Sequence, residues 1–284
     1  MASKEFASAR PPLQAKYVPE DWWDPRRPDC LFRSVYRVGD DSVEGHLLSQ
    51  ALTREQRTVR ECDLVERLIK PRSGAMILDC PCGIGRHCVE LASRGYRTIG
   101  VDLDAGALAQ AQSRAYERGC RRITLHQADM RSIPLPDQSV AAVINMFFSF
   151  GFFLDESSNM SVLREFARVL KQGGTVLLHT DVNPTRVLQG VHGDRTTRTL
   201  PNGHSLLVHE RYHADIRRLV GTWSIKHDSK TIHEASYSVR IYSDDELREL
   251  FGQAGLKTFY RFNIGPSGLC RDPLAEEVVY IAMA

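Results

Sequence analysis

The stretch ILDCPCGIGRHC, residues 77–88, joins a short apolar run to a turn that contains two glycines. The run is typical of a buried strand, and the residues after the turn have the apolar spacing of a helix. Further strand-like runs alternate with helical segments along the chain: TIGVD, RITLHQAD, SVAAVINMF and TVLLHTD. One helical segment, SVLREFARVLKQGG, is expected to end at its glycines. This order predicts an α/β fold with a doubly wound, Rossmann-like, mostly parallel sheet.

Four side chains in this first stretch are possible zinc ligands: Cys80, Cys82, His87 and Cys88. Structural zinc sites usually take ligands from two separated pairs, and the spacing C-x-C-x₅-C has no second pair elsewhere. The cysteines also lie in a turn where the backbone is expected to approach a ligand. We therefore expect no metal, and we expect Cys88 to pack against the sheet as a small hydrophobic residue.

Acidic residues follow three successive strands, at Asp79, Asp102 and Asp129. In a doubly wound sheet, these positions converge with Gly83 and Gly85 on the crevice where ligands bind. Asp102 comes 19 residues after Gly83 (102 − 83), the separation expected of a carboxylate that binds a ribose diol. The pattern therefore predicts a cofactor that contains a nucleoside.

Two classes of cofactor use a glycine turn followed by a carboxylate. A dinucleotide site needs G-x-G-x-x-G, and Cys88 stands at the third glycine position. S-adenosylmethionine has no phosphate and needs acidic groups, a glycine turn and an adenine contact. Asp129 and Met130 supply an acceptor for the adenine amino group and an apolar contact for its ring. The residues favour S-adenosylmethionine, and NAD stays as the alternative.

The composition limits the class of partner. The 37 Lys and Arg against 35 Asp and Glu give a net charge of +2, which disfavours a nucleic-acid substrate. The N-terminal residues lack an apolar signal core, and no run of about 20 apolar residues could span a bilayer. Seven cysteines, three of them in one turn, do not form a secreted disulfide framework. We expect a cytoplasmic protein without a membrane or nucleic-acid partner.

The 284 residues divide into four segments. Residues 1–50 are rich in Pro, Arg and aromatic residues and are expected to form an N-terminal helical lid, which also invites contacts in a homo-oligomer. Residues 51–182 hold the cofactor-binding core. Residues 183–242 alternate with a period of two, which predicts an antiparallel β insertion that contributes to the substrate pocket. Residues 243–284 hold a helix and strands that complete the core sheet.

Five motifs in order resemble those of class I S-adenosylmethionine-dependent methyltransferases: ILDCPCGIGRH, GVDLD, QADMRSIP, NMFFSFGFF and LKQGGTVLL. The resemblance covers residues 55–182, and SYSVRIYSDDELRELFGQAGL extends it. It is nearest to bacterial small-molecule enzymes, several of which act in natural-product and antibiotic biosynthesis. Phe152 replaces the Tyr that is usual in their SFGYF-like loop, so any role of that hydroxyl is absent.

The resemblance implies a role for each residue of the crevice. Asp79 and Gly83 would hold the methionine end of the cofactor, Gly85 would permit its close approach, and Asp102 would accept hydrogen bonds from the ribose. Asn145 to Phe147 would line the path to the sulfonium. The full set of cofactor residues on this interpretation is Asp79, Cys80, Gly83, Gly85, Asp102, Leu103, Asp129, Met130 and Asn145.

The methyl acceptor is expected near the FFSFGFF segment that follows the fourth strand. Its Phe147, Ser149 and Phe150 would form an aromatic wall that could face the sulfonium. About half of the phenylalanines in this segment are expected to be core residues instead. Tyr17 and Trp23 could form a lid that excludes water, or could pack as part of a loose arm.

Candidates for proton transfer and substrate binding lie on the later strands. Asp181 ends the fifth strand, and His209 and His213 share one face of a strand, so these three are the candidate general bases. Arg240 and Tyr242 could bind a substrate anion. The structural alternatives are a capped turn, surface histidines and closure of the sheet.

The sequence thus predicts an enzyme that transfers a methyl group from S-adenosylmethionine to a small molecule, with an amine nitrogen of a secondary metabolite as the first choice of acceptor. An oxygen or carbon of an aromatic or isoprenoid molecule is the alternative. An RNA or protein methyltransferase on the same fold, and a non-catalytic protein that binds this cofactor or NAD, also remain open.

Overall fold

The computed structural model describes residues 18–33, 52–200, 203–228 and 230–284. The first of these ranges is a succession of turns that belongs to the N-terminal arm. The other positions of the arm, Tyr17 among them, lie outside the described residues. Helices and strands are numbered in chain order within the described part of the chain.

Six helices and twelve strands make up the described residues. The helices are α1 (Arg54–Ile69), α2 (Arg86–Ser93), α3 (Ala105–Glu117), α4 (Glu156–Val169), α5 (Pro184–Leu188) and α6 (Asp244–Gln253). The strands are β1 (Met76–Asp79), β2 (Arg97–Asp102), β3 (Ile123–Gln127), β4 (Val140–Asn145), β5 (Leu170–Thr180), β6 (Arg195–Thr199), β7 (Ser205–His213), β8 (Arg218–His227), β9 (Lys230–Arg240), β10 (Thr258–Gly265), β11 (Gly268–Cys270) and β12 (Glu277–Met283).

The main sheet has eight strands in the order β11-β10-β12-β5-β4-β1-β2-β3. Five neighbouring strands of this sheet, β5, β4, β1, β2 and β3, pair in parallel. Strand β12 pairs antiparallel with β5. The order reverses direction between β1 and β4, so the loops after these strands diverge and leave a crevice at their carboxyl ends. The predicted Rossmann-like fold class is confirmed.

Helix α4 departs from the expected boundaries at both ends. It begins one turn earlier than SVLREF, because the side chain of Asp155 caps it by accepting from the backbone N–H of Ser158. It ends at Val169 rather than at the glycines, because Leu170 already pairs with Val140 in the sheet. The prediction that the glycines end this helix is wrong; they lie inside the long strand β5.

A second sheet is antiparallel, in the order β6-β7-β8-β9. Alternate residues on one face of it, such as Leu206, Val208 and Ile225, are buried and join the largest hydrophobic core. Trp22 of the arm belongs to the same core, as does Leu178 of the main sheet. The core therefore unites both sheets with the arm around one end of the crevice. No helix within the described ranges is long and apolar enough to cross a membrane.

Candidate active site

A cavity of about 220 Å³ lies at the carboxyl ends of β1 to β4. One side is formed by the strand ends and by the turn after β1, and the other by the arm and the loop after β4. The residues that line it include Trp23, Pro25, Cys30, Phe32, Arg54, Cys80, Cys82, Gly83, Arg86, His87, Asp102, Leu103, Asp129, Met130, Met146, Phe147, Ser149, Phe152 and Phe153. We call the side with Asp102, Leu103, Asp129 and Met130 the nucleoside wall. We call the side with Trp23, Phe147, Phe152 and Phe153 the aromatic wall.

The nucleoside wall is organised around Asp102. The backbone N–H of Gly83 donates to one of its carboxylate oxygens at 2.7 Å, and that of Asp104 donates to the other at 2.9 Å. Burial raises the pKa of this carboxyl, and the two backbone donors oppose the shift. Each oxygen keeps a lone pair free of these backbone bonds, so the carboxylate can still accept from a diol.

Asp129 faces the same cavity and is fixed by Arg131. The guanidinium lies 2.7 Å from one carboxylate oxygen, and the backbone N–H of Arg131 donates to the other at 2.8 Å. Burial acts to raise the pKa of Asp129, but the bonds from Arg131 outweigh it and the pKa is lowered. Leu103 and Met130 add apolar surface beside these carboxylates. The wall thus combines two fixed acceptors with apolar faces.

The two glycines of the turn do different work. Gly83 lines the cavity with a φ of 52°, and a Cβ there would meet no protein atom within 4 Å. Gly85 has a φ of 70° and does not line the cavity; a Cβ there would lie 2.5 Å from the Cβ of Ala111. The expected role of Gly85 is therefore corrected, because its close approach is to helix α3 and not to a cofactor.

Two other predicted cofactor residues lie beneath the cavity and do not line it. Asp79 is 1% exposed and faces the thiol of Cys88 at 3.5 Å, and burial raises the pKa of its carboxyl to about 7. Asn145 is also buried and donates to the backbone carbonyl of Cys80 at 2.9 Å. These side chains support the floor of the cavity, and their contact with the cofactor stays a prediction. Cys80 itself lines the cavity.

The cysteines of the turn are all free thiols. Cys82 and Cys88 pack in a small apolar cluster with Leu108 and Leu125, and burial contributes to raising the pKa of each thiol. The predicted packing of Cys88 as a small hydrophobic residue is confirmed.

The aromatic wall comes from the loop after β4. Phe147, Phe152 and Phe153 line the cavity together with Ser149, whose hydroxyl donates to the carbonyl of Met146 at 2.7 Å. Phe150 does not line it. Its ring packs 5.4 Å from that of Tyr242, around a separate and much smaller cavity, so its substrate-binding role is corrected.

The arm closes this wall from outside. Trp22 packs edge-on against Phe152 with ring centroids 4.9 Å apart, and Trp23 packs edge-on against Phe153 at 5.1 Å. The guanidinium of Arg131 also lies over the Trp23 ring, which ties the arm to the nucleoside wall. Trp23 lines the cavity, and its contact with a substrate stays a prediction. Tyr17 lies outside the described residues.

The candidate bases and anion-binding residues lie away from the cavity. His209 and His213 are on the face of β7 opposite the buried Leu206 and Val208, so their predicted catalytic role is wrong in position. Asp181 does not line the cavity, and burial raises its pKa.

Arg240 and Tyr242 serve the fold rather than a substrate anion. Arg240 forms ion pairs with Glu156 and Glu246, and the hydroxyl of Tyr242 donates to Glu156 at 2.8 Å. Neither side chain lines the cavity, so both substrate-binding predictions are corrected.

A buried polar cluster behind Phe147 was missed by sequence reasoning. Glu61 of α1 pairs with Arg57, with Arg86 and with His87, at 2.8, 2.8 and 2.9 Å. Both guanidinium carbons lie 4.1 Å from the Phe147 ring centroid. Burial lowers the pKa of His87 to about 4, so this ring is neutral. The i, i+4 spacing of Arg57 and Glu61 was a visible signal of the pair.

The methyltransferase domain model matches residues 77–174, which contain β1 to β4 and the start of β5. A relative from Streptomyces venezuelae, a dTDP-3-amino-3,4,6-trideoxy-α-D-glucopyranose N,N-dimethyltransferase, is 24% identical over 221 residues, 76% of this chain and 90% of its own length. The match gives the chain a methyltransferase domain over residues 77–174. The protein is an enzyme, and its cofactor is S-adenosylmethionine.

Solved structures support the same fold. The CcbJ methyltransferase from Streptomyces caelestis has a TM-score of 0.74 with 18% identity, covering 89% of this chain and 97% of its own. CalS10 from Micromonospora echinaspora, an amino pentose methyltransferase of calicheamicin biosynthesis with the cofactor bound, has a TM-score of 0.61 with 18% identity, covering 81% of this chain and 90% of its own. The nucleoside wall of this methyltransferase fits its cofactor, because it offers fixed carboxylate acceptors, apolar faces and an open glycine turn.

Proposed function

We propose that this methyltransferase methylates an amine nitrogen of a small organic molecule, of the amino-sugar type used in natural-product biosynthesis. One observation carries the proposal: a single cavity joins the nucleoside wall to a wall of aromatic rings. Those rings are Trp23, Phe32, Phe147, Phe152 and Phe153. A cavity of this size and lining suits a small acceptor better than a polymer.

The chain's own residues would bind the reactants, align them and exclude water from them. Asp102 and Asp129 would hold the adenosine part by accepting hydrogen bonds, with Leu103 and Met130 against the adenine. Bound S-adenosylmethionine supplies a methyl group on a sulfonium, which needs no further activation. The main contribution of the protein is then proximity and alignment of the acceptor with that methyl group.

The aromatic wall favours an amine acceptor on physical grounds. An aliphatic amine is protonated in water at neutral pH, and only the free base is a nucleophile. An apolar enclosure disfavours the charged form and so lowers the pKa of a bound amine. The faces of the rings can also stabilise the methylated ammonium that forms, by cation–π attraction. No dedicated base is required, which agrees with the position of His209 and His213 outside the cavity.

The names of two similar proteins support the same acceptor class. The relative from Streptomyces venezuelae is named for a sugar amine, and CalS10 for an amino pentose. Arg54 and Arg86 line the cavity, and the guanidinium of Arg86 is engaged by Glu61 at 2.8 Å. The net charge of +2 on the whole chain gives no bias towards a polyanionic substrate.

The test is methyl transfer from isotopically methyl-labelled cofactor to matched acceptors, read by mass spectrometry. The panel pairs each amino sugar nucleotide and simple amine with its hydroxyl counterpart, and adds a flavonoid, a prenyl diphosphate, transfer RNA and a peptide library. We expect label on nitrogen only. Label on the hydroxyl partner, on carbon, on RNA or on peptide, with none on amines, would contradict the proposal.

The variant Asp102→Ala tests the cofactor site by itself, without a methyl acceptor. It removes charged acceptors that the ribose needs, so the affinity for S-adenosylhomocysteine should fall about 100-fold by calorimetry, at about 3 kcal/mol. Asp137→Ala is the matched variant, because Asp137 is an exposed carboxylate paired with Arg168 away from the cavity. It should bind S-adenosylhomocysteine as the wild type does. Unchanged affinity in Asp102→Ala would remove Asp102 from the cofactor site.

A further inference from the structure

Two consecutive phenylalanines in the loop after β4 have left-handed backbones. Phe147 has a φ of 58° and Phe148 a φ of 51°. Bulky L-residues adopt this region only where their surroundings hold them there. Phe147 lines the cavity and Phe148 does not, so this double turn is what directs the first ring inward and the second away.

The backbone of this turn is held by His179 of β5. The N–H of Phe147 donates to Nδ1 of the imidazole at 3.3 Å, and the N–H of Phe148 donates to the carbonyl of His179 at 3.0 Å. The other ring nitrogen, Nε2, lies 3.0 Å from a carboxylate oxygen of Glu277 on β12. His179 is 2% exposed and Glu277 is 7% exposed, so water does not compete with these bonds.

This geometry allows only one protonation form of His179. Because Nδ1 accepts from a backbone N–H, it cannot itself carry a proton. The single proton of the neutral ring is therefore on Nε2, where it is donated to Glu277. If the ring carried its proton on Nδ1, two donors would face each other at Phe147 and the turn would lose its anchor.

We propose that His179 and Glu277 are positioning residues for methyl transfer. Glu277 fixes the tautomer of His179, and His179 then fixes the turn that places Phe147 in the cavity wall. Neither residue lines the cavity, so both act through Phe147 and not on the reactants. The guanidiniums of Arg57 and Arg86 hold the ring of Phe147, while His179 holds its backbone.

Two amide variants separate the contacts of His179. In His179→Asn the amide oxygen falls where Nδ1 was, so it keeps an acceptor for Phe147 and loses the reach to Glu277. In His179→Gln the longer amide reaches Glu277 and offers no acceptor to Phe147. His179→Leu removes both contacts. His233→Asn, at an exposed histidine of β9, is the matched control and should behave as the wild type.

The first measurement is hydrogen exchange of the Phe147 backbone amide by NMR. It needs no methyl acceptor, so its result does not depend on the proposal that the acceptor is an amine. We expect faster exchange in His179→Gln and His179→Leu and near-normal protection in His179→Asn. The second is the tautomer of His179 in the wild type from ¹⁵N shifts, with the proton expected on Nε2. Glu277→Leu offers Nε2 no acceptor and should raise the population of the other tautomer.

The third measurement is turnover with whichever acceptor the labelled-methyl panel identifies. Misplacing a wall residue by about 1 Å can cost about 100-fold, so kcat should fall about that much in His179→Gln and recover in His179→Asn. The affinity for S-adenosylhomocysteine should not change, because the nucleoside wall is untouched. Equal behaviour of the Asn and Gln variants, an unchanged Phe147 amide in His179→Gln, or a proton on Nδ1 in the wild type would each overturn the proposal.

Discussion

The nucleoside wall and the aromatic wall of the cavity are built in different ways. Asp102 and Asp129 stand directly at strand ends, and the bonds that fix them come from the turn after β1 or from residues two positions away. The loop that carries Phe147 and Phe152 is instead anchored by distant parts of the chain. Arg218 of β8 donates to the carbonyls of three residues in this loop, at 2.9 to 3.2 Å, and Trp22 covers it from the arm.

This difference separates what the two walls can tolerate. The nucleoside wall depends on short-range geometry that any doubly wound sheet supplies, which suits a cofactor that stays the same. The part of the aromatic wall that carries Phe152 and Phe153 depends on the second sheet and the arm, which are additions to that sheet, while Phe147 is held from β5 and β12 of the main sheet. Changes in those additions can reshape the acceptor side while the cofactor side stays intact.

The largest effect is expected from Asp79, the buried carboxyl beneath the nucleoside wall. An unfolded Asp titrates near pH 4, and burial raises the folded pKa to about 7. Between these values the unfolded state has released a proton that the folded state retains, so the contribution of Asp79 to stability falls as pH rises. Asp79→Asn removes this loss, which is about 4 kcal/mol for a shift of about three pKa units.

Urea unfolding of both proteins from about pH 4 to about pH 8 measures this difference. The stability of Asp79→Asn relative to the wild type should rise across that window and level off above it. A constant difference would mean that Asp79 is ionised in the folded protein throughout. Asp63→Asn, at an exposed carboxylate of α1, should show no such trend.

The contrast between the walls also explains what the sequence could predict. Strand-end carboxylates and the glycine turn are read from adjacent residues, so the fold and the positions of Asp102 and Asp129 could be predicted. Gly85 was misassigned because a positive φ looks the same in sequence whether a cofactor or Ala111 lies beyond it.

The aromatic wall was only partly predictable because its contacts are long-range. Nothing near Arg218 in sequence shows that it reaches the loop after β4, some 65 residues away. Nor does the alternation in β7 show which of its faces is buried. In the structure the buried face carries Leu206 and Val208, and His209 and His213 lie on the opposite face, away from the cavity. The packing of Phe150 against Tyr242 could not be predicted for the same reason, because the two residues lie far apart in sequence and meet only in the folded chain.

The next effect is the loss of the anchor at Arg218. Its side chain is buried, burial lowers its pKa to about 10, and it donates to the carbonyls of Gly151, Phe152 and Phe153. Without it, Gly151 keeps the N–H of Arg240 and Phe153 keeps the amide of Asn159, while Phe152 loses this donor. Arg218→Met should lower the free energy of unfolding by about 3 kcal/mol, because several buried charge-assisted hydrogen bonds are lost together. Arg217→Met is the neighbouring control; Arg217 is exposed and pairs with Glu246, so the cost should stay below about 1 kcal/mol.

The same pair of variants tests the independence of the walls. At a temperature where Arg218→Met is still folded, its affinity for S-adenosylhomocysteine should match the wild type while turnover falls. A parallel loss of cofactor affinity would show that the two walls are one mechanical unit, and the separation drawn above would be wrong.

The smallest effect comes from the two glycines of the turn after β1, of which Gly83 lines the cavity and Gly85 packs against α3. Both have positive φ, so replacement by Ala costs each a similar backbone strain of about 1 kcal/mol. Gly85→Ala also drives a methyl group into Ala111, which overpacks α2 against α3 and should cost at least about 1 kcal/mol more. In Gly83→Ala the new methyl group meets no protein atom and lies at the cavity surface instead.

Thermal unfolding should therefore rank Gly85→Ala as the less stable variant, and calorimetry should rank Gly83→Ala as the weaker binder of S-adenosylhomocysteine. The reverse ranking in both measurements would exchange the roles of the two glycines, and with them the boundary between the cofactor surface and the helix packing that supports it.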